Sequence, residues 1–312
     1  MLSFGVIAQI LWTSLATSSY FVLSAMAFAV VLKVNRLFNF AQAAVMTVAF
    51  YAAYTLVGLL GLPGRAGFVG ALVASLVLSA AIEILGLRVL RRRGASTMFV
   101  FIFTLMISEL VAYLAMLIYG TWPATVFPSL FWPATLVGPV AVSGWDVPAV
   151  ATMLAVCAAL YAFLRLMRPG QFMLAVADNP DLAELYGIAK DRVYLITMLI
   201  AGALGAVAMF LYGTRAQVQP TTSIDLLLFA IAASVIGGIG NIWGAALTAF
   251  VLALLQNASV LFIPSEWQGF LLYIVLFLAI VLFPQGVHFR KISQLFHRLF
   301  PRRLDNTHPK DA

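Results

Sequence analysis

Residues 226–265 read LLLFAIAASVIGGIGNIWGAALTAFVLALLQNASVLFIPS, forty residues without a charge between Asp225 and Glu266. One membrane helix needs about 20 apolar residues, so the run is too long for a single crossing. Its middle is broken by Gly237-Gly238-Ile239-Gly240-Asn241-Ile242-Trp243-Gly244. Four glycines in eight residues open backbone conformations closed to other residues. The stretch predicts two short helices joined at the glycines, as two short crossings or a re-entrant pair. Irregular backbone at membrane depth survives only where protein or a water-filled cavity covers it. Gly237, Gly238, Gly240, Asn241 and Gly244 are therefore candidates for a translocation path or gate. Close packing of small residues between helices is the alternative reading.

The rest of the chain has the same character. Of 312 residues 63% are hydrophobic and 9% charged, with a mean hydropathy of +1.04. A soluble domain is about 25% charged, so a water-soluble enzyme is excluded. No polar stretch of domain size exists, which excludes a single-span receptor. Reading from charge to charge predicts further spans near 10–32, 39–60, 66–87, 98–119, 147–164, 193–213 and 267–284. The predicted fold class is all-α and polytopic, with about 8–9 transmembrane segments including the broken pair. The spans form one transmembrane domain over 1–287, with a polar loop at 165–192 and a tail at 288–312. The start, MLSFGVIAQILW, lacks the basic n-region of a signal peptide and reads as part of a retained span.

Charge gives direction. If the spans alternate, sixteen of the 18 Lys and Arg fall on one side. They are Lys33, Arg36, Arg88, Arg91, Arg92, Arg93, Arg165, Arg168, Lys190, Arg192 and six in the tail. Arg65 and Arg215 fall on the other. The basic side is expected to be cytoplasmic, with the N-terminus outside and the C-terminus inside. Both ends of 226–265 then lie outside. The net charge of +7 reflects this asymmetry rather than nucleic-acid binding. Phe289, Ile292, Phe296 and Leu299 recur at helical spacing among Arg290, Lys291 and Arg298, the pattern of a basic amphipathic helix for membrane lipid.

Four segments stand out against this background. Asn39 and Gln42 open the second span on one helical face. Amides in a bilayer need partners, so the pair either lines a path or bonds across helices as packing glue. In the loop 165–192, Asp178 or Asn179 caps a short helix begun by Pro180 and ended by Gly187. Leu182, Leu185 and Tyr186 share one face of it, and Asp181 and Glu184 favour a protein partner over a lipid surface. Glu109 lies near the middle of a span, where an ionisable residue suggests function; a neutral structural role is the alternative. Glu83 is expected to pair with Arg88. The loop 120–146 holds Trp122, Trp132 and Trp145, an interfacial aromatic belt or a docking surface.

Several chemistries are absent. There is no G-x-x-x-x-G-K-[ST] phosphate loop. The one cysteine, Cys157, lies in an apolar run, and His288, His297 and His308 are all in the tail. No metal centre or cofactor site is expected, and too few acids lie in the spans for a proton-coupled carrier.

The chain resembles the permease subunits of branched-chain amino-acid ABC importers, specifically the shorter of the two homologous permeases. The resemblance rests on Phe38-Asn39-Phe40-Ala41-Gln42, similar to the family's N-F-A-H-G. It rests also on Ala177-Asp178 through Ala183, Gly187-Ile188 and Asp191-Arg192-Val193, and on ASVIGGIGNIWG from Ala233 to Gly244. Residues 127–131, FPSLF, echo a stretch of the outside loop. The sequence departs at Gln42 and Ala43, where the family has His-Gly, and Glu109 is unusual for it. The resemblance implies a pore-forming subunit in the bacterial cytoplasmic (inner) membrane, not itself an enzyme. Its partners would be a second homologous permease, two cytoplasmic ABC ATPases and a periplasmic solute-binding protein. It also implies that Asp178, Asn179, Asp181, Leu182, Ala183, Leu185, Tyr186 and Gly187 form the element coupled to the ATPases, with Ala183 permitting close approach. The alternative is a stand-alone secondary transporter or channel, which needs no docking helix.

Overall fold

A computed structural model describes residues 4–127 and 133–262, together with 264, 267, 274, 277 and 278. Helix α1 (Phe4–Val34) is apolar all round and largely buried, as expected for a helix at the centre of a bundle. Its polar residues turn inward on the helix itself. Ser18, Ser19 and Ser24 donate to the carbonyls of Leu15, Ala16 and Phe21 at 2.7–3.0 Å. Around it pack α6 (Asp146–Leu166), α9 (Lys190–Gly213), α10 (Thr222–Ile236) and α11 (Ile242–Ser259), and α2 (Ala41–Tyr54) packs on α9.

Two peripheral helices bury only one stripe. Helix α3 (Gly64–Ala81) buries Gly67, Ala71, Ser75 and Ser79, and α5 (Thr97–Tyr119) buries Val100, Thr104, Ser108, Ala112 and Ala115. Small residues every fourth position let helices approach closely in a membrane. Helix α2 widens into a π-helical stretch at Thr55–Leu59, and α3 passes through another at Ile82–Leu87 into α4 (Arg88–Arg92). Between α6 and α9 lie α7 (Arg168–Asp178) and α8 (Pro180–Leu185).

Among the described residues, seven helices are long and apolar enough to cross a bilayer, and Thr222–Ile236 is a shorter apolar helix. The chain is thus a helical polytopic membrane protein. All but 267, 274, 277 and 278 of the run 267–284, all of the tail 288–312, and 128–131 of the FPSLF stretch lie outside the described residues.

One element corrects the all-α expectation. Strands β1 (Ala134–Val137) and β2 (Val140–Ser143) form an antiparallel hairpin, Val137 opposite Val140, in the loop before α6. The two-residue link Gly138-Pro139, with Gly138 at φ +61°, was the available sequence signal. The hairpin rests on the start of α1, where the Gln9 amide donates to the Ala141 carbonyl and accepts from its N–H.

The two ends of the bundle differ. At one, the Trp12 indole and the Ser143 N–H both donate to Asp146 at 2.9 Å. Asp146 also pairs with Arg215 at 3.4 Å, and Arg215 lies over the Trp145 ring. At the other, Arg36 donates to the Ala177 and Asp178 carbonyls at 2.9 Å, and Arg88 and Arg92 pair with Asp191. Glu83, fully buried, pairs with Arg91 rather than Arg88. The π-helical stretch between them shifts the register, so that the residue eight positions on faces Glu83.

Candidate functional site

Helix α8 sits at the basic end. Asn179, not Asp178, is its cap: the Asn179 Oδ1 accepts from the N–H groups of Asp181 (3.1 Å) and Leu182 (3.0 Å). Pro180 occupies the first turn, where its missing N–H costs nothing. Gly187, at φ +80°, closes the helix, and the Ile188 N–H reaches back to the Ala183 carbonyl at 3.0 Å.

The faces of α8 divide sharply. Leu185 and Tyr186 are 84% and 80% exposed, and Leu182 is half exposed. Ala183 is 4% exposed and belongs to the protein's own core. This corrects the expectation that Ala183 is the point of close approach for a partner. Two of the acids are also engaged within the chain, because Lys190 pairs with Glu184 at 2.7 Å and with Asp181 at 3.3 Å. Neither Lys190 nor Arg36, which holds the last carbonyls of α7, was singled out from the sequence. Arg36 stands at φ 54° in the turn after α1, a conformation no sequence pattern signals for arginine.

Asn39 and Gln42 are buried and face α9. The Gln42 amide donates to the Ala201 carbonyl at 2.9 Å, and the Asn39 amide to the Met198 sulfur at 3.6 Å. The carbonyl oxygens of both amides are buried without a hydrogen bond. The amides therefore tie α2 to α9, while each holds an unused acceptor in the interior.

The break at Gly237–Asn241 separates α10 from α11 where the sequence placed it, and it lies at the basic end. Asn241 lines one cavity with Lys33, Arg165 and Asp178. The Asn241 Oδ1 caps α11 by accepting from the Gly244 N–H at 3.0 Å. The two helices meet there at van der Waals limits, Gly237 against the Gly244 backbone. Helix α10 begins near Val218, which bridges to Ala124, and α11 returns to place Asn257 against Thr17 at 2.8 Å. Both ends of the pair thus lie toward the end opposite the basic one.

Glu109 stands on the exposed face of α5, with no hydrogen bond or ion pair among the described residues. It does not converge with Asn39, Gln42 or the glycines. No group of three or more His, Cys, Asp or Glu able to hold a metal occurs among the described residues.

Residues 10–280 match the family described as the branched-chain amino acid transport system / permease component. The chain is 27% identical over 296 residues to the high-affinity branched-chain amino acid transport system permease protein LivH of Escherichia coli (strain K12), covering 89% of this chain and 94% of that one. It is 26% identical over 275 residues to the probable LivH of Methanocaldococcus jannaschii, covering 82% and 85%. Over a shorter stretch of 131 residues, 39% of this chain and 35% of the other, it is 34% identical to the xylose transport system permease protein XylH of Haemophilus influenzae. Among solved structures, PsaBC from Streptococcus pneumoniae in complex with Fab shares the fold, with a TM-score of 0.53 at 12% identity over 93% of this chain and 96% of that one.

Proposed function

The chain belongs to the branched-chain amino acid transport permease family, and from that premise we propose how its residues serve an importer. It is a pore-forming permease subunit of an ABC importer, and ATP hydrolysis is carried by separate subunits. Its solutes are branched-chain or related amino acids, as the names of its full-length relatives suggest. The observation that carries the mechanism is α8, a capped helix at the basic end with Leu182, Leu185 and Tyr186 exposed to water. A cytoplasmic ATPase grips that face, and its closure on ATP is transmitted through α7 and Arg36 to the bundle. Two ATPases, a second homologous permease and a periplasmic binding protein complete the machine. The uncovered apolar faces of α3 and α5 support the second permease. Glu109 at mid-span on one of them cannot face hydrocarbon cheaply, which favours a protein neighbour.

Reconstituted with those partners, the permease is expected to import labelled leucine only with ATP and the binding protein present. Uptake driven instead by an ion gradient would overturn the reading.

By the positive-inside rule the basic end faces the cytoplasm of a bacterial inner membrane. The glycine break then lies inside and both ends of the α10–α11 pair outside. In a Cys157→Ser background, Thr222→Cys is expected to react with an impermeant thiol reagent from outside, and Ile239→Cys only after the membrane is opened. The reverse pattern would invert the topology.

A further inference from the structure

The cavity beside the glycine break has a composition that packing alone does not require. It holds about 230 Å³ between the ends of α1, α6 and α7 and the start of α11. One wall is charged: Lys33, Arg165 and Asp178. The other is apolar, with Leu164, Tyr161 and Trp243, the last two meeting edge to face at 5.8 Å. Opposite charges that share a small cavity ordinarily close on one another. Here neither Lys33 nor Arg165 forms an ion pair with Asp178, although Lys190, Arg88 and Arg215 each close on an acid elsewhere in the chain. Two cations and one carboxylate are thus held apart around an open space with an aromatic side.

That arrangement matches one class of small molecule. An α-amino acid carries a carboxylate and an ammonium group on one carbon, and a side chain pointing away from both. The carboxylate meets Lys33 and Arg165, the ammonium meets Asp178, and an apolar side chain lies on Tyr161 and Trp243. An anion alone would leave Asp178 without a partner, and a cation alone would leave both bases without one. The volume is below the roughly 300–1,000 Å³ of ordinary drug-sized pockets and suits a molecule of amino-acid size. Arg165 and Asp178 are exposed, so the cavity is reached from water at the basic end. Exposed ion pairs are individually weak, which gives the low affinity suited to sensing an accumulated product.

We propose that this cavity is a cytoplasmic binding site for a free α-amino acid, through which the imported product slows its own import. The proposal rests on the reading of the chain as an amino-acid importer permease. Its mechanism follows from what the cavity touches. Asp178 is the last residue of α7, and the next residue, Asn179, caps α8. Asn241, which caps α11 at the glycine break, lines the same cavity. An occupant bridging Asp178 to Lys33 and Arg165 ties the base of α8 to α1 and α6. The helix that must move with the ATPases is then held in one position.

The test uses the complete importer in proteoliposomes, with binding protein and labelled leucine outside, and ATP with or without millimolar unlabelled leucine inside. Internal leucine is expected to lower the initial uptake rate about fivefold or more, the lower end of ordinary allosteric coupling. Internal leucinamide, lacking the carboxylate, and 4-methylpentanoate, lacking the ammonium, are expected to leave it unchanged. Lys33→Gln and Arg165→Gln are expected to import normally without internal leucine and to lose the inhibition. Equal inhibition of the wild type and both variants would overturn the proposal, as would no inhibition of the wild type. So would an effect that follows the phosphatidylethanolamine content of the vesicles instead of leucine, because that lipid headgroup carries the same pair of charges. Failure of the importer to take up any amino acid would sink the substrate reading instead. Equilibrium binding of leucine to the purified complex, lost in Lys33→Gln, then still decides the site.

Discussion

A Leu185→Asp permease is expected to reach the membrane at the wild-type level, yet to purify without its ATPase and to import nothing. Leu185 is 84% exposed, so the permease itself loses no packing. Its helix is fixed from elsewhere, by the Asn179 cap, the Gly187 turn and the Lys190 pairs with Asp181 and Glu184. If a soluble partner covers this face, the leucine contributes about 2–3 kcal/mol of apolar burial. The aspartate adds the cost of an unpaired charge in the contact, several kcal/mol more. Since about 1.4 kcal/mol is tenfold in affinity, a micromolar contact would be emptied. Ala183→Arg provides the contrast. Ala183 lies in the core beneath α8, so that variant is expected to fail in assembly, with little protein in the membrane. A Leu185→Asp importer that keeps both its ATPase and its uptake would show that α8 is not the docking element.

Helix α8 was legible in the sequence because its signals are local. Pro180, Gly187 and an Asx cap lie within ten residues, and each acts on its neighbours. Which side of α8 faces inward was not legible. Apolar positions three and four apart look the same whether they meet the protein's own core or another chain. The broken pair is a similar case. Four glycines announced the break between α10 and α11, but not that Asn241 would line a cavity with Lys33, Arg165 and Asp178, residues from three other parts of the chain. Asn39 and Gln42 announced a cost that needed partners. Their partners, Met198 and Ala201, lie 159 residues further on, beyond any periodicity. Glu83 is paired, as expected, but with Arg91, eight positions on, a register that the π-helical stretch at Ile82–Leu87 sets and the sequence does not announce.

The glycines of the break differ in what they tolerate, and Gly244→Val is expected to be the most damaging of these substitutions. A Cβ at Gly244 would collide with the Gly237 carbonyl oxygen and come within 2.6 Å of the Asn241 Nδ2. The first obstacle is backbone and cannot rotate away. The second belongs to the side chain that caps α11, whose Oδ1 accepts from the Gly244 N–H. Relief requires α10 and α11 to separate at their base, beside the cavity that Asn241 and Ile242 line with Asp178. Overpacking of this kind costs about 1–3 kcal/mol for a few added methylenes, occasionally more, and valine adds a branched side chain at a buried position. Gly238 is different. Its φ of +96° disfavours any side chain, but a Cβ there meets nothing nearer than the Asn241 Cβ at 3.9 Å. The cost is then conformational alone, roughly 1–2 kcal/mol, and it leaves the helix contact intact. Gly244→Val is therefore expected to lower the melting temperature of the purified permease and abolish uptake, while Gly238→Ala keeps most of its uptake at a modest loss of stability. Wild-type uptake by Gly244→Val would mean that α10 and α11 need not touch there for the permease to work.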